Sequence, residues 1–216
     1  MSNVFIAGAT GYMGSRLASL LLARGHRVLS LVRPGSEPKL PTGCAPVPGN
    51  ALDRRTFSNH LVGIDTFVQL VGVAHPSPSK GAQFRAIDLV SCQESVAAAA
   101  ASRIPHFVYV SVAHPAPLMK SYIEVRAQCE DLIRSAGLNA TILRPWYVLG
   151  PGHYWPYLLK PGYWLARRIP ALREGALRLG LVTLEQMLAA LVIAVENPVR
   201  GIRAVNVPEI AQSATN

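Results

Sequence analysis

The first fourteen residues leave little freedom in how the chain starts to fold. Val4–Ala7 is a short β-branched and apolar run, and Gly8-Ala9-Thr10-Gly11-Tyr12-Met13-Gly14 follows it at once. Met13–Ala23 then carries Leu17, Leu20, Leu21 and Leu22 at helical spacing, before Gly25. When a strand passes straight into a helix through three glycines so spaced, each glycine has a mechanical reason to be there. Gly8 permits the sharp turn, Gly11 lets a charged ligand reach the backbone, and Gly14 lets the helix pack closely on the sheet. Exposed N–H groups and the helix dipole at that point favour phosphate. The turn therefore reads as the diphosphate cradle of a dinucleotide site, with Gly8, Thr10, Gly11, Tyr12, Met13 and Gly14 against the ligand. It is not a Walker A loop, because no Gly-Lys-Ser/Thr follows. The plainer alternative is a tight turn with no ligand.

The residue that ends the second strand, Val28–Val32, selects between the two nicotinamide dinucleotides. An acidic residue about twenty positions beyond the turn holds a free ribose 2′-hydroxyl, whereas an arginine suits a 2′-phosphate. Arg33 occupies that place, and no Asp or Glu lies between Val28 and Gly35. The expected cofactor is NADP(H), with NAD(H) as the alternative. Asn50 follows a weak strand near Ala45–Val47, and its amide can both donate to and accept from an adenine edge. It can equally be the turn residue of Pro-Gly-Asn.

Downstream, strand-like and helix-like segments alternate. Strands are expected at Asp65–Val71, His106–Ser111, Ala140–Leu143 and Ile202–Val207. Helices are expected at Gln83–Ser102, Lys120–Gly137 and Thr183–Glu196, with a short one capped by Asp53 through His60. Strands of continuous Val, Ile, Leu and Ala character imply a parallel sheet covered on both faces. Right-handed crossovers make it an α/β doubly wound, Rossmann-like fold with ligands at the carboxyl ends of the strands. Residues 1–150 would form the nucleotide-binding domain and 151–216 a small lid region packed on it, ending in a loose polar tail, Gln212–Asn216. Val-Ala-His-Pro occurs twice, at Val73–Pro76 and Val112–Pro115. This puts His75 and His114 on neighbouring edge loops, as substrate contacts, proton shuttles or ordinary surface residues.

These segments together resemble the atypical short-chain dehydrogenase/reductases, in the branch of NAD-dependent epimerase/dehydratase-like and NmrA-like NAD(P)-binding proteins. The resemblance rests on Gly8–Gly14, Leu31-Val32-Arg33, Gln69-Leu70-Val71-Gly72, Phe107–Ser111, and Thr141-Ile142-Leu143-Arg144-Pro145 running into Leu149-Gly150-Pro151. It implies that Val71 and Gly72 border the cofactor and that Pro145, Tyr147 and Val148 pass beside the nicotinamide. It also implies a serine, tyrosine and lysine constellation, the last two spaced Tyr-x-x-x-Lys. Ser111 and Tyr122 fit the first two places, and Arg126 stands where the lysine is expected. Tyrosine is a poor acid–base group at neutral pH unless a cation lies nearby, and positions four apart share a helical face. Arginine keeps the charge but is larger and planar. It can bind the ribose or pair with Glu124 or Glu130. Two functions follow from the resemblance: an NADP(H)-dependent oxidoreductase on a small carbonyl or alcohol, or a cofactor-binding redox sensor or assembly protein without turnover. The helices Gln83–Ser102 and Lys120–Gly137 can also form a four-helix dimer interface, though monomers are compatible with the branch.

Composition removes other classes. Half the chain is hydrophobic and 15% is charged, too apolar for a disordered chain. Three cysteines without any C-x-x-C read as reduced thiols in a cytoplasmic protein, not a disulfide framework or a metal site. No signal sequence and no transmembrane run are evident. The net charge of +9 concentrates partly in Pro151–Val182, where five cations face Glu174 alone among five Tyr and Trp residues. That segment suits a substrate lid, or a peripheral membrane or protein contact. No nucleic-acid reading motif accompanies the charge.

Overall fold

Side-chain alternation along the strands decides the architecture. In β1 (Asn3–Ala7), Val4 and Ile6 point to one face and Phe5 and Ala7 to the other, and all four are fully buried. The same division holds for Phe67 and Val68 in β4 (Thr66–Gln69) and for Phe107 and Val108 in β5 (His106–Val110). A strand buried on both faces needs helices on both sides. In the computed structural model, which describes residues 1–116, 118–151, 175 and 178–215, that is the arrangement found.

With β2 (Arg27–Val32), β3 (Ala45–Pro48), β6 (Ala140–Arg144) and β9 (Ile202–Asn206), these strands form an all-parallel seven-stranded sheet in the order β3-β2-β1-β4-β5-β6-β9. Helices α1 (Gly14–Ala23) and α4 (Leu184–Glu196) cover one face through Leu17, Leu21, Met187 and Leu191. The other face carries α3 (Lys120–Ser135) and α2, a continuous helix built from Gly81–Gln83, a π-helical stretch Phe84–Leu89 and Val90–Ala101. Phe5, Phe57, Phe67 and Phe107 stack beneath them, with neighbouring rings 5.0–6.3 Å apart. Strand order reverses at β1 and β4, so their carboxyl ends open a crevice at the switch point. A separate parallel pair, β7 (Tyr147–Leu149) and β8 (Leu181–Thr183), lies outside the main sheet.

The expected strands and longer helices are present, with shifted ends, whereas the short helix expected from Asp53 to His60 is two 3-10 turns, Arg54–Thr56, capped by the Asp53 side chain, and Ser58–His60. α3 stops at Ser135, and Gly137 takes a left-handed conformation (φ +67°) just beyond it. The last strand ends at Asn206, and helical turns follow it through Thr215, where the sequence suggested an irregular polar end. Asn206 and Glu209 form a reciprocal capping box that starts α5 (Val207–Gln212), with Pro208 in its first turn and a further helical turn at Ser213–Thr215. Most of Pro151–Val182, including its aromatic residues, falls on residues 152–174, 176 and 177, outside the described residues. Among the described residues, no helix is long and apolar enough to cross a membrane.

Candidate functional site

The glycine turn leaves β1 at the switch point, and the glycines act there as the spacing implies. Gly8 has φ +99°, and a Cβ on it would lie 2.9 Å from the Leu70 backbone, so the loops after β1 and β4 touch main chain to main chain. The Gly11 amide donates to the Gly8 carbonyl at 3.0 Å, closing the turn. A Cβ on Gly14 would collide with that same carbonyl. The N-terminus of α1 has no side-chain cap and no acidic residue in its first turn, so its positive end is left for an anion. Arg16, one turn into α1, folds over the Tyr12 ring at 4.7 Å.

Two connected clefts open from this turn. The outer one, of about 570 Å³, is lined by Gly8, Thr10, Gly11, Val71 and Gly72, with Arg33 and Asn50 at its far end. Arg33 is solvent-exposed at the end of β2. Asn50 proves to be both turn residue and wall. Its side-chain oxygen accepts from the Leu52 amide at 3.0 Å, and the residue lines the outer cleft. Lys80, not singled out from the sequence, lines the same cleft and donates to the Ala74 and His75 carbonyls at 2.8 and 3.0 Å. The inner cleft, of about 460 Å³, is lined by Ser111, Tyr122, Arg126, Pro145, Tyr147 and Val148, besides Tyr12, Met13 and Gly14 from the turn. Every residue expected to form the site thus borders one of two adjoining clefts. His75 borders the inner cleft, whereas His114 does not; its Nε2 faces Glu130 at 3.5 Å.

Arg126 is where the helical spacing puts it, but its ion-pair partner is neither Glu124 nor Glu130. Its Nη2 donates to Asp88 Oδ1 at 2.6 Å, and its Nη1 donates to the Tyr109 hydroxyl and the Val110 carbonyl at 3.1 and 3.0 Å. Asp88 is fully buried in the π-helical stretch of α2, and its other oxygen accepts from the Val73 amide at 2.9 Å. Burial pushes the Asp88 carboxyl up, and the Arg126 charge and the Val73 amide pull it back. The guanidinium lies 4.9 Å from the Tyr122 ring centroid, and Phe84 meets that ring edge-on at 5.0 Å. One acid therefore fixes both the cation beside Tyr122 and the backbone of the loop that floors the cofactor crevice.

Ser111 has a partner that spacing did not reveal. Its hydroxyl donates to Glu130 Oε1 at 2.7 Å. Glu130 is buried and also accepts from Arg134 Nη2 at 2.7 Å and from both Nε and Nη2 of Arg144. Burial opposes its ionisation, but the hydrogen bonds from Arg144, Ser111 and Arg134, with the Arg144 charge, outweigh it and hold the carboxyl at about 2. Cys92 and Cys129 are both buried, and the neighbouring Cys129 thiol and burial together push the Cys92 thiol up. The available signals were an acid, Asp88, set between Ala86-Ile87 and Leu89-Val90, and an acid, Glu130, on the face of α3 that also carries Arg126 and Cys129. Among the described residues, no cluster of His, Cys, Asp or Glu could hold a metal ion.

A profile of the NAD(P)H-binding family matches residues 8–152, two-thirds of the chain and all of the crevice described above. Three curated relatives are informative. A 4-hydroxy-2-methyl-3-oxo-4-farnesyl-3,4-dihydroquinoline-1-oxide ketoreductase of Stigmatella aurantiaca is 27% identical over 170 residues, 68% of this chain and 51% of the relative. The ceramide reductase of Caulobacter vibrioides is 28% identical over 92% of this chain and 62% of its own length, and a 3-diazoavenalumate denitrifying reductase of Streptomyces is 27% identical over 98% and 78%. The chain thus spans only about half to two-thirds of the first two. Among solved structures, WbmH of Bordetella bronchiseptica in complex with NAD+ superposes with TM-score 0.69 at 24% identity, over 97% of this chain and 79% of its own. The UDP-N-acetylglucosamine 4-epimerase of Bacillus cereus superposes with TM-score 0.69 at 17% identity, over 98% and 84%. The glycine cradle at the switch point and the profile that spans it have one meaning: the chain belongs to the NAD(P)H-binding family.

Proposed function

We propose that the chain binds NADP(H) in this crevice and acts as an oxidoreductase on a small carbonyl or alcohol. The observation that carries the reading is convergence: the uncapped glycine cradle, Arg33 at the outer end and Tyr122 beside Arg126 at the inner end border adjoining clefts. When bound, the nicotinamide supplies or accepts the hydride. The other steps belong to the chain. Backbone amides of the turn hold the diphosphate, and Arg33 pairs with the 2′-phosphate. Tyr122 gives a proton to the substrate oxygen in reduction and takes it in oxidation. Arg126 stabilises the negative charge that develops on the phenolic oxygen when the proton leaves. Ser111 borders the same chamber with its hydrogen directed to Glu130, so it offers lone pairs to an alcohol, and it orients a carbonyl only after turning from Glu130. The reductase names of all three curated relatives support hydride chemistry.

A second reading, cofactor binding without turnover, is favoured by one observation. The polar groups expected to face substrate are already committed within the protein, Ser111 to Glu130 and Arg126 to Asp88. Parallel titration with NADPH and NADH by fluorescence or calorimetry tests the cofactor assignment. NADPH binds tighter by about tenfold or more, the worth of one charge-assisted contact, and Arg33→Ala removes most of the difference. Equal wild-type affinities overturn it. Tyr122→Phe abolishes turnover while NADPH still binds; a wild type that binds NADPH and oxidises or reduces nothing across a substrate panel selects the second reading.

A further inference from the structure

Resting on the reading of the crevice given above, we infer that the inner chamber takes an uncharged substrate whose body is apolar, its carbonyl at Tyr122 and its chain along Trp146. Once the positions assigned to the cofactor are set aside, the described wall consists of Leu70, Val73, Pro76, Val110, Val112 and Trp146, with alanine between them and His75, Ser111, Tyr122 and Arg126 as its polar members. Trp146 is half-buried, packed on the core at one side and set edge-on to Tyr147 with ring centroids 5.4 Å apart, and it lines the cleft. Val73 is likewise half-buried, while Val112 lies buried beneath the wall. Half-buried apolar side chains converging on a concave site are the usual lining of a pocket for an apolar ligand.

Charge points the same way. Arg126 is the one side chain of this described wall that carries full charge at neutral pH, and Asp88 compensates it at 2.6 Å. A carboxylate or diphosphate brought onto this wall would lose water and find no uncompensated cation there among the described residues. An alkyl or aryl group would instead gain from every methylene removed from water.

Calorimetry separates the possibilities. The protein is loaded with NADP+, so that a ketone binds without reacting, and titrated with straight-chain methyl ketones of six, eight and ten carbons. A ten-carbon keto acid with its carboxylate at the far end, and UDP-glucose, are titrated alongside. The Kd falls about fourfold per added methylene, the keto acid binds at least about tenfold more weakly than the ten-carbon ketone, and UDP-glucose does not bind. Trp146→Ala removes most of the dependence on chain length while NADPH affinity is kept. A Kd that ignores chain length, a keto acid that binds more tightly than the ketone, or saturable UDP-glucose binding overturns the inference. Should NADPH itself not bind, the cofactor reading fails, and the same ketone series on the unloaded protein still decides whether the chamber is apolar.

Discussion

Glu130→Gln is the substitution whose cost can be worked out most directly. The carboxylate is 1% exposed and serves Ser111, Arg134 and Arg144 at once. Its folded-state value of about 2 lies below the ordinary 4.5, so the folded state binds the proton less readily than the unfolded chain does. The stabilisation is therefore fully present above about pH 4.5 and is lost as pH falls toward about 2. A shift of that size corresponds to about 3 kcal/mol, and leaving the two arginines without a counter-charge keeps the expected loss in the range of about 3–5 kcal/mol. For a domain of this length that lowers Tm by roughly 10 °C at pH 7. Urea unfolding and thermal melts of wild type and variant, run in parallel from pH 7 down to pH 2.5, measure it. The difference between the two proteins holds between pH 7 and 5 and closes below that. A variant that melts within about 2 °C of wild type at pH 7, or a gap just as wide at pH 2.5, refutes the assignment of a buried, stabilising anion.

Three further outcomes follow from the same coordinates. Burial alone pushes His106 down to about 4, so the folded state refuses a proton that the unfolded chain accepts, and stability drops between about pH 6.5 and 4. His106→Asn removes roughly 2–3 kcal/mol of that slope, read from urea midpoints across this interval; an unchanged slope contradicts it. Gly14→Ala forces a Cβ into the Gly8 carbonyl, so NADPH affinity drops by about tenfold or more in a calorimetric titration, and an unchanged affinity contradicts the cradle. Cys92 and Cys129 are fully buried, so a thiol reagent modifies at most Cys44 in the native protein and all three thiols in denaturant; rapid labelling of three native thiols contradicts the packing.

The sheet was legible because its signals are local. Two-sided hydrophobic strands, glycines at helix ends and a glycine turn after β1 each follow from a few neighbouring residues, and together they leave one layered solution. The short helix α5 was missed for the opposite reason. Its signal, Asn206 with Glu209 three positions later, begins inside the run Ile202–Val207 that reads as strand. The π-helical turn left no trace in periodicity either, since one extra residue in a helix rich in alanine disturbs no obvious stripe.

The site was legible in its positions and not in its partners. Spacing places Tyr122 and Arg126 on one face of α3, but an arginine's chemistry depends on what neutralises it, and that acid is supplied by another helix, 38 residues earlier in the chain. The geometry binds three features into one unit. A Cβ on Gly72 would lie 2.7 Å from Arg126 Nη2 and 3.1 Å from Asp88 Oδ1, so the glycine after β4, the arginine and the acid occupy space that only this combination fits. Asp88 also holds the Val73 amide, so the loop that borders both clefts is tied to the ion pair beside Tyr122. Arg126 is therefore more than a charge beside Tyr122: a buried carboxylate fixes the guanidinium's direction and a glycine makes room for it, so a change at any of the three is felt by the loop after β4 and by the cation at Tyr122 together.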